Sequence, residues 1–519
     1  MDSNTIQILV AMIIYMAAVI VIGIVFAKKA NKSSENYFLG GRSLGPWVTA
    51  MSAEASDMSG WLLTGLPGVA DGCGLADATG TAIGLAVGTY LNWLIVSKRL
   101  RRYSIKAGNS ITLPEFFSNR FKENKKIIMT LAALFILVFF TVYTASCFVT
   151  CGKLFSTLFG LPYMEMMIVG AIFVLLYTLL GGFLAESASD FMQGVVMILA
   201  LTVIVVLSVI SAGGIGNVLE NARAVPGFLD FFGLATPVLE DGVQVVKDGA
   251  PVFESVAAPY GLLSICSMLA WGLGYFGMPQ VLLRFMAIRK EEELKSSRRI
   301  AMIWVIISLA VAVFIGIIGR HLFPIEHLTK TSAENIFITL ATSSLPPILA
   351  GFVMAGILAA TISSSDSYLL IAASAFAKNI FQGAFKKNAT DKQVMIMSRI
   401  TLLVIAVIAI IMAIDENSVI FTIVSFAWAG FGATFGPLML FSLFWKRTTR
   451  KGAIAGMIVG GGMVFAWKYL IAPLGGVFEI YELLTEFILS SLAIFIVSLL
   501  DKKPSDEIAA EFEAVKKGN

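Results

Sequence analysis

Long apolar segments alternate with short polar ones along nearly the whole chain. Most of them approach or exceed the roughly 20 residues that an α-helix needs to cross a bilayer. The first is too long for the apolar region of a cleavable signal and has no basic segment before it, which favours a membrane span. The pattern predicts about thirteen transmembrane helices, within residues 6–27, 45–72, 77–98, 127–153, 163–183, 188–212, 258–284, 300–319, 345–377, 398–414, 418–445, 452–472 and 479–500.

Composition and charge agree with an all-α polytopic membrane protein. Of the 519 residues, 57% are hydrophobic and only 14% are charged, whereas soluble domains carry about 25% charged residues. Under the predicted topology, 32 of the 38 Lys and Arg residues fall on one side of the membrane. Positive loops face the cytoplasm, so we expect an outside N-terminus and a cytoplasmic C-terminus. The expected location is the cell membrane, as a multi-pass protein of a bacterial inner membrane.

Several classes of function are excluded. The net charge of +4 follows from the topology and gives no indication of nucleic-acid binding. The chain has no Walker A pattern, so ATP is not expected to drive it directly. The predicted spans contain no pair of nucleophile and base and no cluster of metal ligands, which argues against an enzyme. No obligate protein partner is evident, and the expected surroundings are the lipid bilayer.

The second predicted span contains a polar interruption. Residues 52–61 combine two carboxylates, Glu54 and Asp57, with three serines and a glycine. One ionisable residue inside a span costs at least ~2.5–3.5 kcal/mol, so such residues usually have a function or face the protein interior. We expect this segment to be locally unwound, with carbonyls and hydroxyls that suit a small cation.

A matching interruption lies in the seventh predicted span. Residues 270–280 contain three glycines and a proline, which kink or unwind a helix. Five spans separate the two interruptions, so the two five-helix halves enter the membrane from opposite sides. This spacing predicts a five-plus-five inverted repeat with a binding site between the broken helices. Alternatively, the glycines only permit close helix packing.

The predicted repeats divide the chain, which we treat as a single transporter domain over residues 1–519. The first repeat covers 45–212 and the second covers 258–445. We expect one additional helix before them, two after them and a cytoplasmic tail, at 6–27, 452–500 and 501–519.

The ninth predicted span supplies a hydroxyl-bearing face. Ala360, Ser363, Ser364 and Ser367 have the spacing that places residues on one side of a helix. A hard cation needs several oxygen ligands, and a neutral set of hydroxyls and carbonyls favours sodium. Alternatively, each serine bonds only to its own helix backbone.

Several motifs of this chain resemble those of the sodium/solute symporter family, and specifically those of bacterial sodium/proline symporters. The similarity extends from about residue 37 to residue 470. It rests on residues 40–46, 55–63, 65–68, 139–143, 181–185, 271–279, 284–287 and 426–433.

The resemblance implies a LeuT-like fold, sodium (Na+) as the coupling ion and L-proline as the substrate. It implies a sodium site made of backbone oxygens of Ala55, Met58 and Ala360 and hydroxyls of Ser363 and Ser364, with Asp57 nearby. It implies a proline pocket that includes Ser59, Gly60, Tyr143, Trp271, Tyr275 and Pro279. Aromatic faces suit the proline ring and its ammonium, and hydroxyls and a half-helix N-terminus suit its carboxylate.

The sequence departs from the family pattern at three positions. Ser364 stands where proline members carry threonine, and either hydroxyl can bind an ion. Glu54 replaces a small residue beside the first break. Asp366 adds a carboxylate one turn beyond Ser363. The resemblance implies a second site, for a cation or a proton, that combines Asp190 and Asp366 with the hydroxyls of Ser363 and Ser367. A structural carboxylate bonded to nearby hydroxyls is the alternative for Asp366.

The predicted function is sodium-coupled symport of L-proline by alternating access. One alternative is a sodium symporter for another small amino acid or a carboxylate. A transporter-like ligand sensor is a second alternative.

Overall fold

The computed structural model describes residues 2–30 and 33–518, without the side chains of residues 27–30, 34, 180 and 181. The described chain is mainly helical. Its helices are α1 (Ser3–Ala30), α2 (Ser34–Leu39), α3 (Pro46–Asp57), α4 (Gly60–Leu63), α5 (Gly65–Cys73), α6 (Leu75–Leu91), α7 (Ser97–Lys106), α8 (Leu113–Arg120), α9 (Ile127–Phe159), α10 (Tyr163–Ser211), α11 (Ile215–Arg223), α12 (Leu262–Leu269), α13 (Pro279–Ala287), α14 (Leu294–Leu322), α15 (Lys330–Ala333), α16 (Ile336–Ser344), α17 (Pro347–Ser374), α18 (Asp391–Met412), α19 (Ile420–Phe444), α20 (Arg450–Ala466), α21 (Glu482–Leu500) and α22 (Asp506–Lys517).

Short segments of 3-10 helix and π-helix extend or join several of these α-helices. The π-helical segments are Asn92–Val96, Ala375–Phe385 and Trp467–Ile471. The 3-10 segments are Gly40–Arg42, Ala270–Phe276, Glu291–Glu293, Ala472–Leu474 and Gly476–Glu479.

The number of spans depends on how broken helices are counted. Among the described residues, ten helices are long and apolar enough to cross a membrane, and the bent pair Leu262–Phe276 and Pro279–Ala287 makes eleven. Two other predicted spans lack one long helix. Residues 163–183 contain the shorter apolar helix Tyr163–Leu179, and residues 45–72 are divided among α3, α4 and α5. The predicted total of thirteen is therefore not confirmed.

Both predicted interruptions are breaks in helical structure. Helix α3 ends at Asp57, Met58 and Ser59 leave helical geometry, and α4 begins at Gly60. The second break runs through a 3-10 segment and bends by 40° before Pro279 begins α13. We call these the first break (residues 58–59) and the second break (residues 270–278). A third break occurs inside α10 at Gly182, where φ is +61°, close to the boundary predicted between the spans 163–183 and 188–212.

The glycines of the second break also allow close packing. A Cβ atom on Gly272 would lie 2.2 Å from the carbonyl oxygen of Gly84, and one on Gly274 would lie 2.0 Å from Trp428 Nε1. Close packing and unwinding, proposed above as alternatives, therefore occur in the same segment.

Helix α17 lies at the centre of the bundle. Every residue from Val353 to Ser374 is buried, and the helix packs against α1, α3, α9 and α10. Its serines and Asp366 therefore face protein on all sides instead of lipid. A polar face is tolerated at this depth only if it is satisfied by the neighbouring helices.

The longest connection, between α10 and α12, contains α11 and three small two-stranded sheets. The strands are β1 (Gly233–Leu234), β2 (Leu239–Glu240), β3 (Val243–Gln244), β4 (Val246–Lys247), β5 (Ala250–Pro251) and β6 (Ala258–Pro259), and the antiparallel pairs are β1 with β6, β2 with β3 and β4 with β5.

The C-terminal tail forms a helix that packs against the loop region 98–126. Lys122 Nζ lies 2.6 Å from Glu511 Oε2, and the Arg99 guanidinium lies 5.1 Å from the centre of the buried Phe512 ring. This contact places the tail and the loop on the same side of the protein. Charge counting predicts that this side is cytoplasmic, and the orientation stays a prediction.

Candidate functional site

The first break and α17 bring the predicted sodium ligands together. Ser363 Oγ donates a hydrogen bond to the Ala55 carbonyl at 2.7 Å, and Ser364 Oγ approaches the same oxygen at 3.5 Å. Ser363 Oγ also lies 3.2 Å from the Ala360 carbonyl. Met58 directly follows the last residue of α3, three residues after Ala55, and its backbone is non-helical (φ −83°, ψ 73°).

This donor set suits sodium. All five predicted groups are neutral carbonyl or hydroxyl oxygens, the ligand type that hard cations prefer. The bond between Ser363 and Ala55 crosses from one helix to another, so local bonding within α17 does not fully account for this serine. Ser365 shows the local alternative, because its hydroxyl donates to Thr361 in the same helix at 2.6 Å.

Asp57 connects the first break to the second. Its Oδ2 accepts a hydrogen bond from the Tyr275 hydroxyl at 2.7 Å, and its Oδ1 accepts one from Gln280 Nε2 at 3.2 Å. All three side chains are buried. The sequence placed Asp57 with the ion and Tyr275 with the substrate, and the structure bonds these two residues to each other.

Aromatic rings surround the second break. The Trp271 ring lies 6.3 Å from Trp61, 5.0 Å from Phe421 and 5.3 Å from Tyr481, measured between ring centres. Trp428 Nε1 donates to the Trp271 carbonyl at 2.8 Å, which holds the 3-10 segment against α19. The surroundings of the Trp271 ring are therefore mainly aromatic.

The remaining predicted pocket residues lie at the same two breaks or face them. Tyr143 on α9 packs against Tyr368, with ring centres 4.3 Å apart and tilted by 33°, and it faces Ser59, the residue before α4. Gly60 begins α4, and a Cβ atom there would lie 2.5 Å from Thr150 Cγ2. Pro279 is the first residue of α13, where its missing N–H costs no helical hydrogen bond.

Glu54 is directed towards α13 and the π-helical segment that follows α6. Its Oε1 accepts a hydrogen bond from Trp93 Nε1 at 3.0 Å, and the Trp93 ring packs edge-on against Phe285 at 4.5 Å. No hydrogen-bond partner for Glu54 Oε2 occurs within the described residues. The structure thus identifies the partner of this carboxylate, which the sequence left unexplained.

Asp190 and Ser367, two residues of the predicted second cation site, surround a buried arginine. Arg284 Nη2 lies 3.0 Å from Asp190 Oδ2 and 2.9 Å from Ser367 Oγ, and it also pairs with Glu186. Ser52 Oγ donates to Asp190 Oδ2 at 2.7 Å.

Asp366 lies beside this group without an ion pair among the described residues. Its Oδ1 accepts a hydrogen bond from the Ser367 N–H at 2.7 Å. Sequence reasoning missed Arg284 and Glu186 as members of the cluster. Arg284 belongs to one of the motifs that resemble the family. Its charge inside a predicted span was the signal that could have identified it. The second cation site stays a prediction.

Polar contacts close the bundle on both sides of the two breaks. On one side, Lys153 Nζ pairs with Glu334 Oε2 at 2.7 Å, and Glu334 also accepts hydrogen bonds from the N–H groups of Ile420 and Phe421. On the other side, Arg42 Nη1 donates to the Met286 carbonyl at 2.7 Å.

A bundle of apolar helices with polar groups at paired helix breaks defines a membrane transporter of the LeuT-like class. Comparison with known proteins then identifies the family. Residues 37–460 match the Sodium:solute symporter family, and the chain belongs to it. Family membership makes the protein a transporter with sodium as the coupling ion.

Relatives and solved structures agree with this assignment. The chain is 41% identical to the "High-affinity proline transporter PutP" of Bacillus subtilis, covering 94% of this chain and 97% of the relative. It is 42% identical to the "Sodium/proline symporter" of Haemophilus influenzae, covering 98% and 97%.

A Na+-coupled sialic acid symporter shares the fold with a TM-score of 0.75 at 18% identity, over 96% of this chain and 99% of that structure. MHP1, a nucleobase-cation-symport-1 family transporter, has a TM-score of 0.54 at 12% identity, over 92% and 98%. These similarities confirm the predicted all-α, LeuT-like fold class, while the repeat boundaries at 45–212 and 258–445 stay predictions.

Proposed function

We propose that this protein uses the inward sodium gradient to take up L-proline across the cell membrane by alternating access. The observation that carries the proposal is the direct link between the two breaks. Asp57 bonds to Tyr275 at the second break and lies two residues after Ala55, whose carbonyl contacts Ser363. Two relatives that are about 40% identical over nearly their full length, one named a proline transporter and the other a sodium/proline symporter, support the same substrate.

In this proposal, sodium binds between α3 and α17. The ligands are the carbonyls of Ala55, Met58 and Ala360 and the hydroxyls of Ser363 and Ser364. Sodium would take over the position at which Ser363 and Ala55 now meet, and it would order the end of α3. Because Asp57 is part of that end, ion binding would also orient Tyr275.

Proline would bind beside the second break. The Trp271 and Tyr275 rings offer apolar faces for the pyrrolidine ring and an electron-rich surface for its ammonium group. The hydroxyls of Tyr143 and Ser59 are available for its carboxylate. The Tyr143 hydroxyl is buried beside Ser59 and Tyr368, so these hydroxyls form a group that would donate to the carboxylate.

Transport then requires the two closures to open in turn. We assign Lys153–Glu334 to the outer closure and the Arg42 contacts to the inner closure, following the predicted outside N-terminus. Sodium and proline must each raise the affinity for the other by the same factor, because the coupling free energy is reciprocal. The membrane potential contributes ~2.3 kcal/mol per charge per 100 mV.

Counterflow of labelled proline into proteoliposomes tests the proposal. We expect uptake in sodium buffer and little uptake in potassium buffer. The variant Asp57→Asn should lower sodium-dependent uptake at least about tenfold, because an amide oxygen is a weaker acceptor for Tyr275 and the site loses a charge. The same substitution at the exposed loop residue Asp241 is the matched control and should have no effect.

Two results would contradict the proposal. Equal proline uptake in sodium and potassium would exclude sodium coupling. Sodium-dependent uptake of another amino acid or a carboxylate, with none of proline, would support the alternative substrates instead.

A further inference from the structure

A π-helical segment, Asn92–Val96, joins α6 to α7 and lies beside both breaks. We call it the π segment. It contains a widened turn, because the Ser97 N–H bonds to the Asn92 carbonyl, five residues back, instead of the Trp93 carbonyl. The Ser97 hydroxyl donates to the Trp93 carbonyl at 2.7 Å. One serine therefore gives a partner to both carbonyls of this buried turn.

Two adjacent side chains of the π segment bond to two different breaks. Asn92 Nδ2 donates to the Tyr275 carbonyl of the second break at 2.9 Å. Trp93 Nε1 donates to Glu54 Oε1 at 3.0 Å, and Glu54 directly precedes Ala55, a proposed sodium ligand. The four side chains of these two bonds are buried. Neighbouring residues of one turn therefore contact the substrate side and the ion side.

Close packing fixes the π segment against the second break and α13. On the preceding helix, α6, a Cβ atom at Gly88 would lie 2.2 Å from the carbonyl oxygen of Gly272 in the second break. The Trp93 ring packs edge-on against Phe285 of α13, with ring centres 4.5 Å apart. Movement of the π segment relative to the second break would therefore break close contacts at both of these places.

Ordinary packing is the alternative explanation of these bonds. Buried polar groups are usually paired, so one such bond would indicate packing alone. Here, however, a π-helical turn, which is rare and frequent at functional sites, directs two consecutive donors to the two breaks. The two explanations differ in what they predict for the two ligands.

We propose that Asn92 and Trp93 are positioning residues of the transporter, each for a different ligand. Asn92 fixes the Tyr275 backbone and thereby the orientation of the ring beside proline. Trp93 fixes Glu54 and thereby the last turn of α3, which carries the Ala55 carbonyl. Holding a site in its binding geometry raises affinity, because less ordering is required on binding. The inference rests on the proposed function for its assignment of proline.

The ion side is tested by removing the Trp93 donor. Trp93→Phe keeps a ring against Phe285 but loses Nε1. The sodium concentration for half-maximal proline uptake in proteoliposomes should rise about three- to tenfold, as expected for one lost hydrogen bond. The proline concentration for half-maximal uptake at saturating sodium should change less than about twofold. Trp467→Phe is the matched control, because Trp467 begins another π-helical segment and its Nε1 donates to the Phe478 carbonyl at 3.1 Å.

The substrate side is tested by removing the Asn92 donor. Asn92→Leu has a similar volume but cannot donate to the Tyr275 carbonyl. The half-maximal proline concentration should rise about three- to tenfold, and the half-maximal sodium concentration at saturating proline should change less than about twofold. Asn379→Leu is the matched control, because Asn379 lies in the π-helical segment Ala375–Phe385 and its Nδ2 donates to Thr112 Oγ1, also at 2.9 Å. Both controls should keep the wild-type values.

Two substitutions of Glu54 separate its hydrogen bond from its charge. Glu54→Gln keeps an oxygen that accepts from Trp93 Nε1, so the half-maximal sodium concentration should stay within about twofold of wild type. Glu54→Met has a similar length but no such oxygen, so it should reproduce the sodium shift of Trp93→Phe. Equal shifts in Glu54→Gln and Glu54→Met would show that the charge acts, and the role proposed for Trp93 would be wrong. This pair tests the ion side even if Trp93→Phe does not fold.

A measurement without substrate separates failure of this inference from failure of the proposed function. Sodium that binds the folded protein raises its unfolding temperature, so a sodium titration of this temperature in purified protein reports sodium affinity. Trp93→Phe should need about three- to tenfold more sodium for the same stabilisation, and Asn92→Leu should match wild type. If proline is not the substrate, wild type shows no sodium-dependent proline uptake, while this difference between the variants remains.

Two results would overturn the inference. If Trp93→Phe has the wild-type sodium titration of the unfolding temperature, Trp93 does not position the ion side, whatever the substrate. If Trp93→Phe and Asn92→Leu each raise the half-maximal concentrations of sodium and proline equally, the π segment contributes general packing and its two residues do not serve different ligands.

Discussion

The first and second breaks interrupt a helix in similar ways but present different chemistry. At the first break, the Ala55 carbonyl lies within reach of two serine hydroxyls on α17. At the second break, Trp271 and Tyr275 lie among other aromatic rings, with ring centres 5.0 to 6.3 Å apart. Unwinding frees backbone groups in both places, and the neighbouring side chains determine whether the site suits an ion or an apolar ring.

A single hydrogen bond connects the ion side at the first break to the aromatic side at the second break. Asp57 belongs to the helix that ends at the first break, and its carboxylate accepts a hydrogen bond from Tyr275 at the second. An ion that orders the end of α3 therefore acts on a residue bonded to the substrate side. This arrangement lets the two sites influence each other without a long chain of intermediates.

The largest expected effect is the loss of both hydroxyls at the first break. In the double variant Ser363→Ala/Ser364→Ala, each lost ligand costs about 1.4 kcal/mol, so the sodium concentration for half-maximal uptake should rise about 100-fold. Proline affinity at saturating sodium should change little. Sodium titration of proline uptake in proteoliposomes measures both quantities.

The control for this double variant is Ser365→Ala on the same helix, because that hydroxyl bonds only within α17. It should change the half-maximal sodium concentration less than about twofold. If Ser365→Ala raises the half-maximal sodium concentration as much as the double variant does, the serines stabilise α17 and the first break is not an ion site.

The sequence predicted those parts of the site that depend on local spacing. The face formed by Ala360, Ser363 and Ser364 follows from helical periodicity, and the two breaks follow from glycine, proline and carboxylates in apolar segments. Family resemblance added the pairing of this face with Ala55, which the structure shows as a hydrogen bond between residues 308 positions apart.

Other parts of the site depend on how the helices pack against one another, and the periodicity of the sequence does not reveal that packing. Arg284 meets Glu186 and Asp190 over separations of 98 and 94 residues, so its role required the relative rotation of α10 and α13. Glu54 lies on the same short helix as Asp57 but bonds to Trp93 instead of the second break. Two carboxylates three residues apart thus serve different neighbours, and their sequence spacing alone does not separate them.

An intermediate effect is expected when the connection between the breaks is removed and both sites are kept. Tyr275→Phe preserves the aromatic ring but loses the hydroxyl that donates to Asp57. Proline affinity in sodium should fall about tenfold, since a hydrogen bond to a charged group contributes about 1.5 kcal/mol or more. Proline affinity without sodium should change less, so the enhancement by sodium decreases. Binding of labelled proline to purified protein in sodium and in potassium measures this enhancement.

A matched control exists outside the breaks. The Tyr260 hydroxyl donates to Asp77 Oδ1 at the same distance of 2.7 Å, so Tyr260→Phe removes an equivalent bond elsewhere. This variant should retain the wild-type enhancement. If Tyr275→Phe also retains it, the two breaks communicate by another route and the bond with Asp57 is not the connection.

The smallest effect is expected from a polar contact within the second break. Trp428→Phe removes the Nε1 donor to the Trp271 carbonyl but keeps an aromatic ring against Tyr275. A neutral hydrogen bond contributes about 0.5–1.5 kcal/mol, so the proline concentration for half-maximal uptake should rise about threefold. The half-maximal sodium concentration at saturating proline should not change, because this contact lies on the substrate side. Trp445→Phe at the end of the same helix is the control. If Trp428→Phe also raises the half-maximal sodium concentration about threefold, the second break contributes to the ion site as well. The assignment of the ion to the first break and the substrate to the second would then be wrong.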